Sequence, residues 1–337
     1  MLRFVLVVSE RSWRQECPPY TSKSARDRTT LVSIFLGIDG GGTKTACAIG
    51  DEKSVLGAGT SGGSNVVRVG ESRAKESLDA AVRQACAAAN VSPEQIERTC
   101  VGIAGGARPE ISSVVRRLLS EFVSGDIEVV GDMVIAMEAA FGSGPGVIVI
   151  AGTGSIAYGR NSKGKTARAG GWGFAISDEG SGHWIGRAAV AANMRAYDEE
   201  GTETAGALLE NIMKSWNVTT RDQLVLAANA TPHPDFAALL PVVISAADAG
   251  DATARAVLTQ AGIELATLAG IVVARLFGSA EAVPVGVSGG VFCNSALVRQ
   301  VFDTSVRNAS PQASLVTGVI DPVNGALALA RKHATMR

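Results

Sequence analysis

Three glycine turns hold the residues whose types and spacing could do chemistry. The first is DGGGTKT (39–45), an aspartate ending an aliphatic run, then three residues without Cβ and two hydroxyls. Asp-Gly and Gly-Gly are strong two-residue hairpin signals, so a bare turn also accounts for the glycines. The chemical alternative is a phosphate cradle. Gly41 and Gly42 would let a polyphosphate approach the backbone amides, and Thr43 and Thr45 would add hydroxyl donors. Asp39 would then hold magnesium through water, because Mg²⁺ keeps much of its hydration shell. Lys44 either neutralises phosphate or is a solvated hairpin lysine. AGTGS (151–155) repeats the pattern with Gly152, Thr153 and Gly154. In the third turn, SGG (288–290), a strand enters a helix, which places Gly289 and Gly290 at a positive helix end suited to phosphate or nucleotide. A P-loop is excluded, since GxxxxGKS/T is absent, and no GxGxxG opens a helix after a strand. Each turn alone reads as architecture; three in order, each after an aliphatic strand, argue for a shared ligand.

The elements that would position these turns follow from the hydrophobic pattern. LVSIFLGID (31–39) is a near-continuous apolar strand, ACAIG (46–50) its return, and VLGAGTSG (55–62) extends the meander. Leu78, Ala81, Val82, Ala85, Cys86 and Ala89 recur at three- and four-residue steps and predict a helix between residues 70 and 90. A strand over 96–103, a helix over 110–123, strand IEVVGD (127–132) and a small-residue helix near 136–141 come next. GSGPG (142–146) is the best boundary. Beyond it the scheme restarts with VIVIA (147–151), the AGTGS turn and IAYG (156–159). Residues 182–276 are mostly helical, VPVGVSGG (283–290) is a strand entering a turn, and a helix is expected from Asn294 onward. Asp321-Pro322 pairs an N-cap residue with proline at the first helical position and opens a helix over 323–335.

Composition narrows the field. With 31 basic and 32 acidic residues, the net charge of -1 leaves no electrostatic footprint for duplex nucleic acid or an anionic membrane. Charged residues are 19% of the chain against roughly 25% in a typical soluble protein, and 46% are hydrophobic, so a sizeable core is expected. Five scattered cysteines form no CxxC pair, which argues against a disulfide framework or structural zinc and for a reducing compartment. No apolar run approaches the eighteen or so residues that span a bilayer; 265–278 comes closest, cut short by Glu264 and Arg275. Residues 1–30 are polar and irregular and read as a disordered extension.

DGGGTKT, GDM (131–133), AGTGS, VSGGVFCN (287–294) and PVNGALALA (322–330) resemble the five ordered segments of the actin-like sugar kinase and heat-shock ATPase superfamily. Within it the chain resembles the BadF/BadG/BcrA/BcrD ATPase family, over residues 34–333. The resemblance implies an α/β architecture of two ribonuclease-H-like domains, 31–145 and 146–321, with a nucleotide and substrate cleft between them and helix 322–335 returning to the first. It also implies that ATP is bound by Gly41, Gly42, Thr43, Lys44, Thr45, Gly152, Thr153, Gly154, Gly289, Gly290 and Asn294, with Mg²⁺ near Asp39.

GGSN (62–65), the GD pair (131–132) and GGWGFAISDEGSGHWIG (170–186) resemble the N-acetylglucosamine kinase branch. Carried over, Asn65 bonds sugar hydroxyls and Asp132 faces the 6-hydroxyl as general base. Thr153 lies between sugar and phosphate, Trp172 and Gly173 line the sugar, and Asp178 accepts from ring hydroxyls. That chemistry is sensible, because a sugar offers an apolar ring face to an aromatic and hydroxyls to carboxylates and amides. Each residue has a structural alternative: a core position for Trp172, an N-cap for Asp132. Glu179 would orient the loop or bond sugar, His183 packs beside the sugar loop or touches substrate, and His233 and His333 take loop and surface roles. The reaction implied is ATP-dependent phosphorylation of N-acetylglucosamine at its 6-hydroxyl, with glucosamine and N-acetylmuramic acid as close alternatives. A second branch, the activator ATPases of acyl-CoA dehydratases, shares a 4Fe–4S cluster held by cysteine thiolates. Those proteins carry a cysteine just ahead of the AGTG turn, where this chain has Val147-Ile148-Val149-Ile150. Cys100 and Cys293 fall on apolar stretches and read as small buried hydrophobes, so no iron–sulfur cluster is expected. A sugar sensor is disfavoured, since no helix-turn-helix precedes the fold. Cysteine usage and the lack of a long apolar run lead to the expectation of a cytoplasmic protein, and the family resemblance implies a homodimer.

Overall fold

The computed structural model describes residues 33–201, 206–279 and 281–332. The expected extension over 1–30, Cys17 and His333 lie outside those residues. β1 (Ile34–Gly40), β2 (Lys44–Gly50) and β3 (Val55–Gly62) form an antiparallel meander. After α1 (Val66–Val69) and α2 (Glu71–Ala89), β4 (Ile96–Ile103) lies parallel to β1, and α3 (Pro109–Ser120) leads to β5 (Asp126–Gly131), parallel to β4. α4 (Asp132–Phe141) passes to a second meander of β6 (Gly146–Ala151), β7 (Ser155–Arg160) and β8 (Thr166–Gly170). A helical segment follows: α5 (Gly182–Glu200), α6 (Ala207–Ser215), α7 (Arg221–Ala228), α8 (Leu240–Asp248) and α9 (Ala252–Leu276). The chain ends with β9 (Val283–Ser288), α10 (Gly290–Asn294), α11 (Ala296–Ala309), β10 (Ala313–Ile320) and α12 (Pro322–Lys332). The sheets run β3-β2-β1-β4-β5 and β10-β9-β6-β7-β8. Within each sheet the strands lie in the order third, second, first, fourth, fifth, so one topology is used twice.

The sequence explains the middle of each sheet. β1 and β6 are flanked on both edges and covered on both faces, which requires continuous apolar side chains rather than alternation. Ile34, Phe35, Leu36 and Ile38 are accordingly buried, as are Val147, Ile148 and Val149. α2 makes the crossover to β4 and turns Leu78, Ala81, Val82, Ala85 and Cys86 inward, then stops at Asn90 in the left-handed region (φ 55°). α12 packs on α4 and on β1, so the last helix joins the first sheet. The approach to α4 is so close that a Cβ on Gly325 would lie 1.9 Å from the Ile135 carbonyl oxygen.

Three features differ from expectation. β10 was not foreseen: it is an edge strand, half-exposed for much of its length, and its alternation is broken by a register shift between Leu315 and Val319 and by Gly318 at φ 83°. The helix expected from Asn294 is α11, starting two residues later, and an unforeseen single turn, α10, precedes it. Asn294 ends the single turn of α10, and Ser295 starts α11 by accepting the Val298 N–H at 3.2 Å. α9 is also more apolar than the reading of 265–278 allowed, with a mean hydropathy of 1.7 over 18 residues. By length and composition it could cross a membrane, yet here it is the core helix of the second sheet, with Leu258, Leu265, Leu268, Val272 and Val273 buried.

Candidate active site

The three turns converge. Gly41 closes the β1–β2 turn by donating its N–H to the Lys44 carbonyl (2.9 Å), and its own carbonyl accepts from the N–H groups of Ser64 (3.0 Å) and Asn65 (3.2 Å). The GGSN loop is thereby laid against the turn. Thr45 faces inward: its hydroxyl donates to the Gly62 carbonyl (2.7 Å) and shares a second hydrogen bond with the Ser64 hydroxyl (2.8 Å). Its hydroxyl thus fastens the loop, while Thr43 and Lys44 stay exposed at the tip. In the second turn, Gly152 and Thr153 offer their carbonyls to α5, whose Gly182 and His183 N–H groups donate at 2.8 and 3.2 Å. The two tips face each other, since a Cβ on Gly42 would lie 3.2 Å from the Thr153 hydroxyl oxygen. The third turn lies against the second: at Gly289 (φ 100°) a Cβ would come 2.4 Å from the Ala151 carbonyl oxygen. Gly290 and Asn294 are exposed beyond it, the Asn294 side-chain amide donating to the Gly290 carbonyl at 2.7 Å.

Behind the tips stands a group of carboxylates. Burial, then the charges of Asp132 and Asp321, push Asp39 up to about 7, and Lys44 opposes the shift. These acids come from the ends of β1, β5 and β10, so both sheets deliver carboxylates to one place. Burial also raises Asp132, whose carboxylate accepts the Met133 N–H at 2.9 Å. Gly131 holds the N-cap position of α4, leaving Asp132 as the first helical residue. Among the described residues, no three His, Cys, Asp or Glu side chains are placed to ligate one metal ion directly. Mutually repelling carboxylates are the oxygen-donor chemistry that a hard divalent cation takes.

The sugar-side residues gather next to these. Asp178 is 8% exposed, sits at φ 67°, and accepts the N–H groups of Ser155 and Gly173, while burial raises its pKa and Glu179 and Asp132 add to the rise. It therefore pins the second turn to the 171–180 loop; a Cβ on Gly154 would lie 2.8 Å from its carboxylate. Glu179 supports the same loop, its carboxylate accepting from the Ser177 hydroxyl (2.9 Å) and its carbonyl from Ser155 (2.7 Å). Asn65 caps α1 by accepting the Val67 N–H at 3.1 Å. Trp172 is no core tryptophan: it is 63% exposed, and the Arg168 guanidinium stands 3.9 Å from its ring centre. His183 is buried beside Phe174 (4.9 Å) and Phe236 (5.2 Å).

Some participants escaped the sequence reading. Asp321 was read only as a helix cap, and Arg68 and Asp235 not at all, although their 2.6 Å ion pair links the GGSN side to the helical segment. Asp321 had a signal, an aspartate immediately before the matched segment PVNGALALA (322–330); the ion pair had none. Cys100 is buried as expected, but Cys293 is exposed, because α10 turns it outward in its single turn.

Two sheets of identical strand order, each contributing a glycine turn to a common group of carboxylates, define an actin-like ATPase fold. The chain belongs to the BadF/BadG/BcrA/BcrD ATPase family, whose sequence pattern matches residues 36–330. It is 32% identical over 307 residues to an N-acetylmuramic acid/N-acetylglucosamine kinase of Clostridium acetobutylicum, covering 90% of this chain and 99% of that one. It is 29% identical to an N-acetyl-D-glucosamine kinase of Dictyostelium discoideum, over 88% of this chain and 97% of the relative. Among solved structures it is similar to a proposed N-acetylglucosamine kinase of Chromobacterium violaceum, with a TM-score of 0.70, 25% identity and coverage of 89% and 99%. A ROK family glucokinase of Streptomyces griseus shares the fold at a TM-score of 0.58 and 16% identity, with 89% of this chain and all of that one covered.

Proposed function

We propose that this chain is an ATP-dependent amino-sugar kinase that phosphorylates the 6-hydroxyl of N-acetylglucosamine. One observation carries the reading. Asp132 opens α4 at the end of β5, near enough to Asp39 on the phosphate side and Asp178 on the sugar side to raise both carboxyls, while the tips of the two glycine turns meet at Gly42 and Thr153. The kinase names of the Clostridium and Dictyostelium relatives support it. N-acetylmuramic acid, named for the first of them, and glucosamine are the nearest alternative substrates.

In this reading Gly41, Gly42, Thr43 and Lys44 face Gly152, Thr153 and Gly154 across the phosphates. Gly289, Gly290 and Asn294 lie toward the nucleoside. Mg²⁺, when bound, would neutralise phosphate charge; Asp39 would hold it through water, with Asp321 nearby. Asn65, Gly173 and Asp178 orient sugar hydroxyls, and Trp172 flanks the ring. Asp132 accepts the 6-hydroxyl proton; its burial raises its proton affinity and so favours that transfer. Phosphoryl transfer demands chiefly in-line placement and charge stabilisation, which two facing turns are suited to supply.

The activator reading is weaker, because a cluster needs thiolates. Burial pushes the Cys100 thiol up to about 12 and Cys47 well above its usual range. Residues 31–145 with α12, and 146–321, are the two domains we infer, in a cytoplasmic homodimer without nucleic-acid or membrane partners. The test is a kinase assay over neutral and acidic amino sugars with the product position mapped. A 6-phosphate is expected; transfer to another hydroxyl, or turnover of no amino sugar, would overturn the assignment.

A further inference from the structure

Thr45 belongs to a motif that resembles a phosphate cradle, yet its hydroxyl is engaged before any ligand arrives. Thr45 and Ser64 are both fully buried, although each sits within a few residues of an exposed turn. Thr45 Oγ1 lies 2.7 Å from the Gly62 carbonyl oxygen and 2.8 Å from Ser64 Oγ. A hydroxyl carries one proton and a carbonyl can only accept. Thr45 therefore donates to Gly62, and the Ser64 hydroxyl donates to Thr45. A phosphate presents acceptors, so Thr45 could serve one only by abandoning the Gly62 carbonyl. A hairpin alone does not explain the pair. The β2–β3 ladder sets Thr45 opposite Ser61, and Ser64 reaches Thr45 only because the chain folds back beyond the end of β3.

The relay begins on the residue before Asn65. A Cβ on Gly63 would lie 2.3 Å from the Gly42 carbonyl oxygen, and one on Gly40 2.8 Å from Ser64 Oγ, so the GGSN loop lies directly on the first turn. Asn65 is then held from three sides. Its N–H donates to the Gly41 carbonyl, its side-chain oxygen accepts the Val67 N–H, and its carbonyl accepts from the N–H groups of Arg68 and Val69 at 2.9 and 3.0 Å. With that oxygen occupied, the side-chain amide has its N–H donors to offer a ligand.

Resting on the amino-sugar kinase reading, we propose that Thr45 and Ser64 are positioning residues of the sugar site, acting through Asn65, and that Thr45 is not a phosphate ligand. The first glycine turn then works from both sides. Its exposed tip, Thr43 and Lys44, meets the nucleotide. Its buried side chain sets where Asn65 presents its donors to the sugar. One rigid piece thus fixes the distance between the phosphate and the accepting hydroxyl, as in-line transfer requires.

The experiment measures steady-state kinetics with N-acetylglucosamine and ATP–Mg²⁺ on the full chain and on Thr45→Val, Thr45→Ser, Ser64→Ala and Asn65→Ala, and on the double variant Thr45→Val with Asn65→Ala. Valine keeps the shape of threonine and removes the hydroxyl. Thr45→Val should raise sugar KM by about 5–30-fold, as expected for a lost buried hydrogen bond and a small displacement of Asn65, while ATP KM changes by less than about twofold. Ser64→Ala should act in the same direction, and Thr45→Ser should restore most of the sugar KM. Because the pair acts through Asn65, Thr45→Val should add less than about twofold to the loss that Asn65→Ala already causes. If Thr45→Val fails to fold, Ser64→Ala, alone and with Asn65→Ala, carries the same comparison. A rise in ATP KM with sugar KM unchanged would return Thr45 to the phosphate and overturn the proposal. So would equal rises in both KM values, losses that multiply in the double variant, or a valine variant with the kinetics of the parent. Each of these leaves the kinase reading standing; a parent idle on every amino sugar overturns both.

Discussion

Asp132 can be separated from the helix it begins. As the first residue of α4 its carboxylate accepts the Met133 N–H, a bond that the amide oxygen of asparagine also makes. A negative charge in a first helical turn is worth about 0.3–1 kcal/mol, and burial of the carboxylate works against even that. Asp132→Asn should therefore unfold within about 1 kcal/mol of the parent. It cannot take the 6-hydroxyl proton, and loss of a general base typically costs roughly 10²–10⁴-fold in rate. A loose transition state needs little base assistance, which sets the expected fall in kcat near 10². Both substrates should still bind. Activity within about threefold of the parent would remove Asp132 from the mechanism. Asp39, Asp132 and Asp178 were legible in the sequence because each stands where a strand meets glycines or in a glycine-rich loop, where a carboxylate has few structural reasons to be. Arg68 and Asp235 were not, because neither stands in a glycine turn or any other motif. Their meaning lies in a contact between distant stretches of chain.

The central strands and the crossover helix were readable from period alone, because burial on both faces or on one stripe leaves a direct trace in residue type. Elements at the margin leave less. β10 is half-exposed and bulged at Gly318, so its residues obey neither a period of two nor continuous burial. α9 leaves a broken trace in the sequence because Arg275 interrupts its apolar run, whereas the helix carries that side chain on its exposed face without interrupting the apolar one. The clasp between the second turn and the 171–180 loop is a property of elements rather than of one side chain, and it can be strained deliberately. In Gly154→Ala the new methyl would meet the Asp178 carboxylate at 2.8 Å. Asp178 is held by two backbone N–H groups and a left-handed backbone, so it cannot yield without moving the loop. Small displacements of a positioning residue are costly in catalysis, by up to about 10²-fold for 1 Å. Sugar KM should rise by about tenfold or more, with ATP KM changing far less. An unchanged sugar KM would show that the clasp does not shape the sugar site.

At the scale of the whole molecule, the site is divided between two sheets that α4 and α12 join on one side. The first sheet brings Asp39, Asn65 and Asp132; the second brings Thr153, Asp178 and Gly289. A nucleotide and a sugar would each touch both, so whichever binds first should favour the closed arrangement the other needs, and linkage makes that help mutual. Thermal unfolding gives a direct reading. A ligand that binds only the folded state at 100 times its Kd stabilises it by about 2.7 kcal/mol, a shift of several degrees in a protein of this size. A non-hydrolysable ATP analogue with Mg²⁺, and N-acetylglucosamine, should each raise Tm alone. Together, at the same concentrations, they should raise it by more than the two shifts added. Coupling of the usual strength, about 1–3 kcal/mol, would place the excess within reach of an ordinary scan. Arg68 reaches Asp235 from the GGSN side to the helical segment, so Asp235→Ala should diminish the excess while each single-ligand shift persists. Strictly additive shifts would mean that the two ligands bind independently and that closure is not shared between them.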